Sequence, residues 1–296
     1  MSGFDAGLKA HLQTGQATTA RCWAVTRRDG EILGFTDHDM DLSFENVVFK
    51  AETGLSAAAL QQTTGLSVDN SEAVGALSDA AIRDADIEAG RYDGAEVRAW
   101  LVNWANVDER QLLFRGTIGE IRRAGGAFEA ELRGLTDKLN VPLGRVFQKP
   151  CSAVLGDEGC GFDLSTPGYT TDVPVETIEG RRVLRFAALA GFDPGWFRHG
   201  VLRVLDGEAA GLSGLIKSDS ETANARVLEL WHPIRAEIAP GDSLRLEAGC
   251  DKARETCQAK FNNFLNFQGF PDIPGDDWSI SDPTRAQVLD GGSRRA

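Results

Sequence analysis

Four of the chain's five cysteines fall into two close pairs that bracket a β-rich stretch, and this pattern limits the fold more than any other feature. Cys151 and Cys160 have eight residues between them, Cys250 and Cys257 six. If the ends of the intervening stretch meet, as in a barrel, the two pairs come together at its base. Four converging thiolates are what a zinc site or an iron–sulfur cluster requires. Neither spacing matches a zinc knuckle or a common ferredoxin run, so two short-range disulfides or four ordinary buried cysteines satisfy the same pattern. The opening MSGFDAGLKAHLQ has no basic segment followed by an apolar one, so synthesis in the cytoplasm is expected, where thiols stay reduced. Cys22, beside Trp23 in an expected strand, reads as a core residue.

The rest of the chain reads as mainly β. Its 33 glycines among 296 residues mark frequent turns. Phe4, Leu8 and Leu12 predict one short amphipathic helix. Strands are expected around the Asp29-Gly30 and Glu45-Asn46 turns, then over 95–107, 111–118, 119–124 and 127–135, with Gly125-Gly126 as a meander turn. A short helix is expected over 78–89, with Ile82 inward and Gly90 as its cap. In the second half, strands are expected over 175–178, 182–186, 199–205, 211–218, 225–230 and 243–246, enough for a small barrel. A helix is expected from about Asp251 to Phe267, and 269–296 reads as loop.

Length and charge narrow the function. A chain of 296 residues suggests two domains. The boundaries expected are an N-terminal domain over 1–142 and a cysteine-clamped domain over 143–280. The second domain carries an inserted β-barrel module at about 165–247, and 281–296 form a flexible tail. Acidic residues number 44 against 31 basic, a net charge of −13 spread over both halves, which disfavours surfaces built to bind duplex DNA or anionic membrane. No apolar run approaches the roughly 20 residues of a membrane span. Asp37-His38-Asp39 with Asp41 suggests a metal or acid–base site, but a polar turn between strands accounts for it more simply. Trp100, Trp104, Trp196, Trp231 and Trp278 suit a β core better than a sugar platform. No nucleophile elbow, phosphate loop or His-Glu-x-x-His is present, so no catalytic residue is assigned.

Several stretches together resemble a family of phage-like tail proteins. These are Leu33-Gly34-Phe35-Thr36-Asp37-His38-Asp39, Val102-Asn103-Trp104, Gly119-Glu120-Ile121-Arg122-Arg123 and Ala130-Glu131-Leu132-Arg133-Gly134-Leu135. Leu155-Gly156-Asp157-Glu158-Gly159-Cys160-Gly161 after Cys151 belongs with them. The most specific is the ending, from Gly249-Cys250-Asp251-Lys252 through Thr256-Cys257 and Lys260-Phe261 to Asn266-Phe267-Gln268-Gly269-Phe270-Pro271-Asp272-Ile273-Pro274-Gly275. The family is that of tail hubs in siphophage-like prophages and alphaproteobacterial gene transfer agents, and the cysteine-bearing part is similar to lambda-type tail-tip proteins.

That resemblance implies a fold of a β-barrel hub domain plus a second β-barrel module, closed by a four-cysteine cluster and a short C-terminal helix. It implies a non-enzymatic virion component, a homotrimeric hub at the distal end of the tail. The hub joins the tail tube and distal tail ring to the tip or baseplate and forms part of the DNA delivery channel. The partners implied are the distal tail protein ring, a central tip or fibre baseplate protein, a tail peptidoglycan peptidase and a tape measure protein. DNA passes the lumen without specific binding, and no stable membrane insertion is implied. The cofactor implied is an iron–sulfur cluster of the 4Fe–4S type, held by Cys151, Cys160, Cys250 and Cys257, with Cys22 excluded. Two other readings compete: a zinc or iron–sulfur metalloenzyme with an acidic cleft near Asp37 to Asp41, and a glycan-binding module using exposed tryptophans.

Overall fold

The computed structural model describes residues 4–51, 57–58, 70–75, 83–124, 127–134, 144–186, 189–222 and 225–273. The protein is mainly β, with two sheets and few helices. It divides into two compact units. One comprises Met1–Leu143 with Val204–Leu212 and Pro233–Asp242, the other Gly144–Arg203 with Ser213–His232 and Ser243–Ala296.

The first unit opens with helix α1 (Ala6–Gln13), whose Asp5 side chain caps the Leu8 N–H. Only Leu8 of the expected apolar face is buried; Phe4 and Leu12 remain exposed. Strands β1 (Thr19–Thr26), β2 (Ile32–Thr36), β3 (Leu42–Phe44), β4 (Val47–Lys50), β5 (Ala57–Ala58), β6 (Asn70–Gly75), β7 (Glu96–Asn103), β8 (Arg110–Ala124) and β9 (Ala127–Gly134) follow. They form one sheet in the order β3-β4-β2-β1-β7-β8-β9-β6-β5. Both expected turns hold: Gly30 has φ +89°, and Glu45 and Asn46 have φ 51° and 60°, the pair of positive values a two-residue hairpin needs. The expected break at Gly119 is a bulge in one long strand. Gly119 and Glu120 together face Glu131, and a Cβ on Gly119 would lie 2.6 Å from Arg133 Nε.

Alternation along β1 and β7 buries both faces. Trp23, Val25, Phe35, Val97 and Phe114 pack on one side; Cys22, Ala24, Phe44, Phe49, Trp100 and Val102 pack on the other. Of the expected helix over 78–89, helix α2 (Asp84–Glu88) is observed, with Gly90 at φ +74° just beyond it. Ile82 and the Gly125-Gly126 turn lie outside the described residues. Arg91 then donates to the carbonyls of Glu208 (2.8 Å) and Ala210 (3.0 Å), and Arg235 pairs with Asp93 at 2.8 Å, which ties the two later segments into this unit.

The second sheet contains β10 (Thr170–Pro174), β11 (Thr177–Glu179), β12 (Val183–Phe186), β13 (Val201–Val204), β14 (Ser213–Thr222), β15 (Ala225–Leu230) and β16 (Ser243–Glu247), in the order β10-β16-β13-β14-β15-β12-β11. β10 was not expected; Thr170-Thr171-Asp172-Val173 has only one apolar residue and ends on Pro174, a pattern tolerated at a sheet edge. Leu184, Phe186, Leu202, Ile216, Leu228, Leu230, Leu244 and Leu246 form its buried face. The Arg226 and Asp219 side chains are buried together, and the guanidinium also bonds the carbonyls of Phe192 and Asp193.

Two expectations are corrected here. Among the described residues neither sheet closes into a barrel: each order ends on short strands that do not pair with one another. The long helix expected over Asp251 to Phe267 is instead helix α3 (Arg254–Ala259) followed by a 3-10 turn at Phe264–Asn266. Asn262, at φ 46°, reverses the chain between them.

Candidate functional site

Cys151, Cys160, Cys250 and Cys257 all lie in the second unit and line one cavity of about 340 Å³, counting its mouth. None forms a disulfide, so the disulfide alternative is set aside; Cys22 is free too, buried in the first unit's core. Leu155, Phe261 and Phe267 supply apolar wall, and Lys252 and Asn263 the polar part; no carboxylate or imidazole lines the cavity. An all-sulfur donor set of this kind selects soft metals. Among the described residues, however, no three His, Cys, Asp or Glu side chains stand close enough to hold one metal ion. The four thiols therefore share the lining of one cavity without forming a preset single-ion site among the described residues.

Local backbone bonds place each cysteine. The Asp157 carboxylate accepts the N–H groups of Val154 and Cys160, both at 2.7 Å, and closes the turn that carries Cys160. Those two bonds hold the Asp157 carboxyl below its ordinary range. Cys151 N–H donates to Lys252 C=O at 2.9 Å, which joins the first pair to the second. Cys250 follows Gly249, where the chain runs so close to Arg198 that a Cβ would fall 1.6 Å from its carbonyl oxygen. Cys257 sits on α3, one turn before Phe261, which packs on Phe162 and Tyr169. The Lys260 ammonium donates to the carbonyls of Trp196 (2.5 Å) and Gly249 (2.8 Å), and burial pushes its pKa down.

The thiolate forms of Cys250 and Cys257 are disfavoured where they stand. Burial raises Cys257 to about 11, and the neighbouring Cys250, Cys151 and Cys160 add to the rise. Cys250 is raised chiefly by burial, opposed by the Lys252 N–H. Two further donors reach sulfur: Gln268 N–H to Cys151 Sγ (3.4 Å) and Asn263 Nδ2 to Cys160 Sγ (3.5 Å). Asn263, Gln268 and Lys252 are not among the residues expected at the site; the signal for the first two is the amide-rich run after Cys257. The stretch 266–273 packs back along 145–152, through Ser152 N–H to Gln268 C=O (3.4 Å) and Phe270 N–H to Gln148 C=O (2.9 Å).

The acidic motif is a polar turn. Asp37 accepts the Arg21 N–H at 2.6 Å, His38 Nδ1 accepts the Met40 N–H at 3.0 Å, and Asp41 accepts the Ala51 N–H and pairs with Lys50. Each of these side chains is occupied locally, which leaves the metalloenzyme reading without its acidic cleft. Of the tryptophans, Trp100 is buried and Trp104 and Trp231 are partly exposed, while Trp278 lies outside the described residues.

The described residues thus define a two-sheet β protein whose second unit brings four cysteines to one cavity. Residues 5–163 match the family model described as "Baseplate hub protein, N-terminal attachment domain", more than half of the chain, and the chain belongs to that family. Residues 195–277 match a second model, described as "Phage conserved hypothetical protein BR0599". A chain in the solved structure "Virion of native gene transfer agent (GTA) particle" is 52% identical to this one, with a TM-score of 0.88, covering 97% of this chain and 99% of that chain. No curated protein matches it.

Proposed function

We propose that the chain is a hub of a phage-like, gene-transfer-agent tail, located in the virion at the baseplate, with no enzymatic role. The similarity to a chain of a gene transfer agent virion, over nearly the whole length of both, carries this reading. On it the protein assembles as a homotrimer between the distal tail ring and the central tip protein, with the tail peptidase and tape measure protein as neighbours. Large apolar side chains exposed in the second unit, Val146, Phe147, Val154 and Leu265, support contacts with partner proteins. The net charge of −13 suits a channel that exported DNA passes without sticking. The organisation proposed remains a hub domain over 1–142, a cysteine-clamped domain over 143–280 and a tail over 281–296. Mass spectrometry of purified particles tests the reading: the chain should be present in tails, and particles lacking its gene should lack the baseplate. Its absence from purified particles would sink it.

The four cysteines are proposed to hold a 4Fe–4S cluster as a structural staple. The all-thiol lining of the cavity and the N–H groups directed at sulfur support this reading. Such a cluster, when bound, supplies cationic charge that the four thiolates neutralise and a rigid link between segments far apart in sequence. Anaerobically purified protein should be brown and contain iron and acid-labile sulfide; colourless protein with zinc would refute the cluster.

A further inference from the structure

We propose that Asn263, with its amide orientation fixed by Asn266, is a positioning residue that donates an N–H to the Cys160 sulfur and so tunes and retains the metal group held there. The inference rests on the cluster reading above and concerns residues outside the ligand set. Asn263 follows Cys257 by six residues and belongs to the connection between α3 and the 3-10 turn. Its Nδ2 donates to the Cys160 carbonyl at 2.7 Å and reaches Cys160 Sγ at 3.5 Å. An amide can be turned over to present its oxygen instead, and the question is what prevents that. Asn266 answers it together with the Cys160 carbonyl: the carbonyl can only accept and takes the nitrogen end at 2.7 Å, and Asn266 Nδ2 donates to Asn263 Oδ1 on the other side at 2.8 Å. The nitrogen end must then face Cys160, where a carbonyl and a sulfur both accept.

The arrangement repeats on the neighbouring ligand by other means. The Gln268 backbone N–H reaches Cys151 Sγ at 3.4 Å, and the Gln268 side chain is held by the carbonyls of Gly159 and Asn266, both at 3.2 Å. One short stretch, 263–268, thus directs N–H donors at both members of the first cysteine pair, although it lies beyond the second pair in sequence. An N–H donated to a thiolate ligand offsets its negative charge, which favours the more reduced state of a cluster and slows loss of the metal.

The test uses the full chain, purified anaerobically, with wild type, Asn263→Asp, Asn263→Leu and Asn266→Ala compared. Three quantities are read: iron and sulfide per chain, the rate of iron release to a chelator, and the midpoint potential in a mediated electrode titration. Loss of the donor should speed iron release by about 10–100-fold and lower the potential in both Asn263 variants. Asn266→Ala, which removes no contact to sulfur, should shift both readouts in the same direction by less. If Asn263→Leu does not fold, the isosteric Asn263→Asp and the uncharged Asn266→Ala carry the test. Wild-type release rate and potential in every folded variant, with iron and sulfide present, would overturn the role of Asn263 and leave the cluster standing. Wild-type protein without iron and sulfide would overturn the cluster reading and this inference with it.

Discussion

Cys22 shows how a single buried thiol sets a pH limit on the first unit. Its side chain is fully buried on one face of the sheet, with Sγ 3.5 Å from Thr36 Oγ1, and burial raises its pKa from 9.0 to about 11. The unfolded chain therefore releases this proton from about pH 9, while the folded chain keeps it to about pH 11. Across that window the folded state binds more protons, so stability falls as pH rises, by about 2–3 kcal/mol in all. Urea unfolding of wild type and Cys22→Ala from pH 8 to 11 should show a steeper decline in the wild type; parallel profiles would refute the assignment. A different single-atom limit operates at Gly249. A Cβ there would lie 1.6 Å from the Arg198 carbonyl, whereas one on Gly159 would meet nothing nearer than 3.5 Å. Gly249→Ala should cost about 3 kcal/mol or more and displace Cys250, while Gly159→Ala stays close to wild type by thermal melting.

Among the elements, the seven-stranded sheet carries an ion pair buried on both sides, Arg226 with Asp219. Arg226 on β15 and Asp219 on β14 are buried, and every contact is used: Asp219 also accepts the Phe197 N–H at 2.9 Å, and Arg226 also holds the carbonyls of Phe192 and Asp193. Removing either partner leaves a buried charge alone, so Asp219→Ala or Arg226→Met should cost about 3–5 kcal/mol, and the double variant less than the sum. A double-mutant cycle in urea measures this; additive costs would mean the pair is not coupled. The sequence announced the strands that flank β-turns, because Asp29-Gly30 and Glu45-Asn46 are local signals. It did not announce whether those strands close, because closure depends on which edges meet, and that is decided by pairings distant in sequence. The error at Gly119 has the same origin: a glycine that permits a bulge and a glycine that ends a strand look alike until the opposite strand, with Glu131, is known. Phe261, Phe264 and Leu265 fit one helical face and so suggest a longer helix after Cys250, yet Leu265 is fully exposed and Asn262 takes a positive φ of 46° between α3 and the 3-10 turn.

For the whole molecule, the cysteines' positions in the chain matter more than their number. Cys160 and Cys250 stand at either end of the seven-stranded sheet's sequence, and the cavity they share brings those ends together. The cysteine pairing suggests this convergence only if the intervening strands close into a barrel; the ends meet without that closure, and the sulfur-directed amides are not legible at all, because Asn263 and Gln268 acquire their role only when 263–268 folds back onto the first pair. A metal group held by all four thiolates would close the whole intervening segment, and its binding energy would appear as folding energy. By chain entropy, closing a loop of that size contributes about 4–5 kcal/mol at most, in addition to what the sheet's own packing supplies. The first unit has no share in those ligands and keeps its own two-faced core. Treatment with a chelator and an oxidant should therefore separate the melting behaviour: the transition of the cysteine-bearing unit moves down by several degrees or more, and that of the first unit stays in place. Tryptophan fluorescence distinguishes them, since Trp23 and Trp100 report the first unit and Trp196 and Trp231 the second. The variant Cys257→Ser should reproduce the treated state without any chelator. A single transition that shifts as a whole would mean that the cysteines support the entire chain, and no shift at all would mean that they staple nothing.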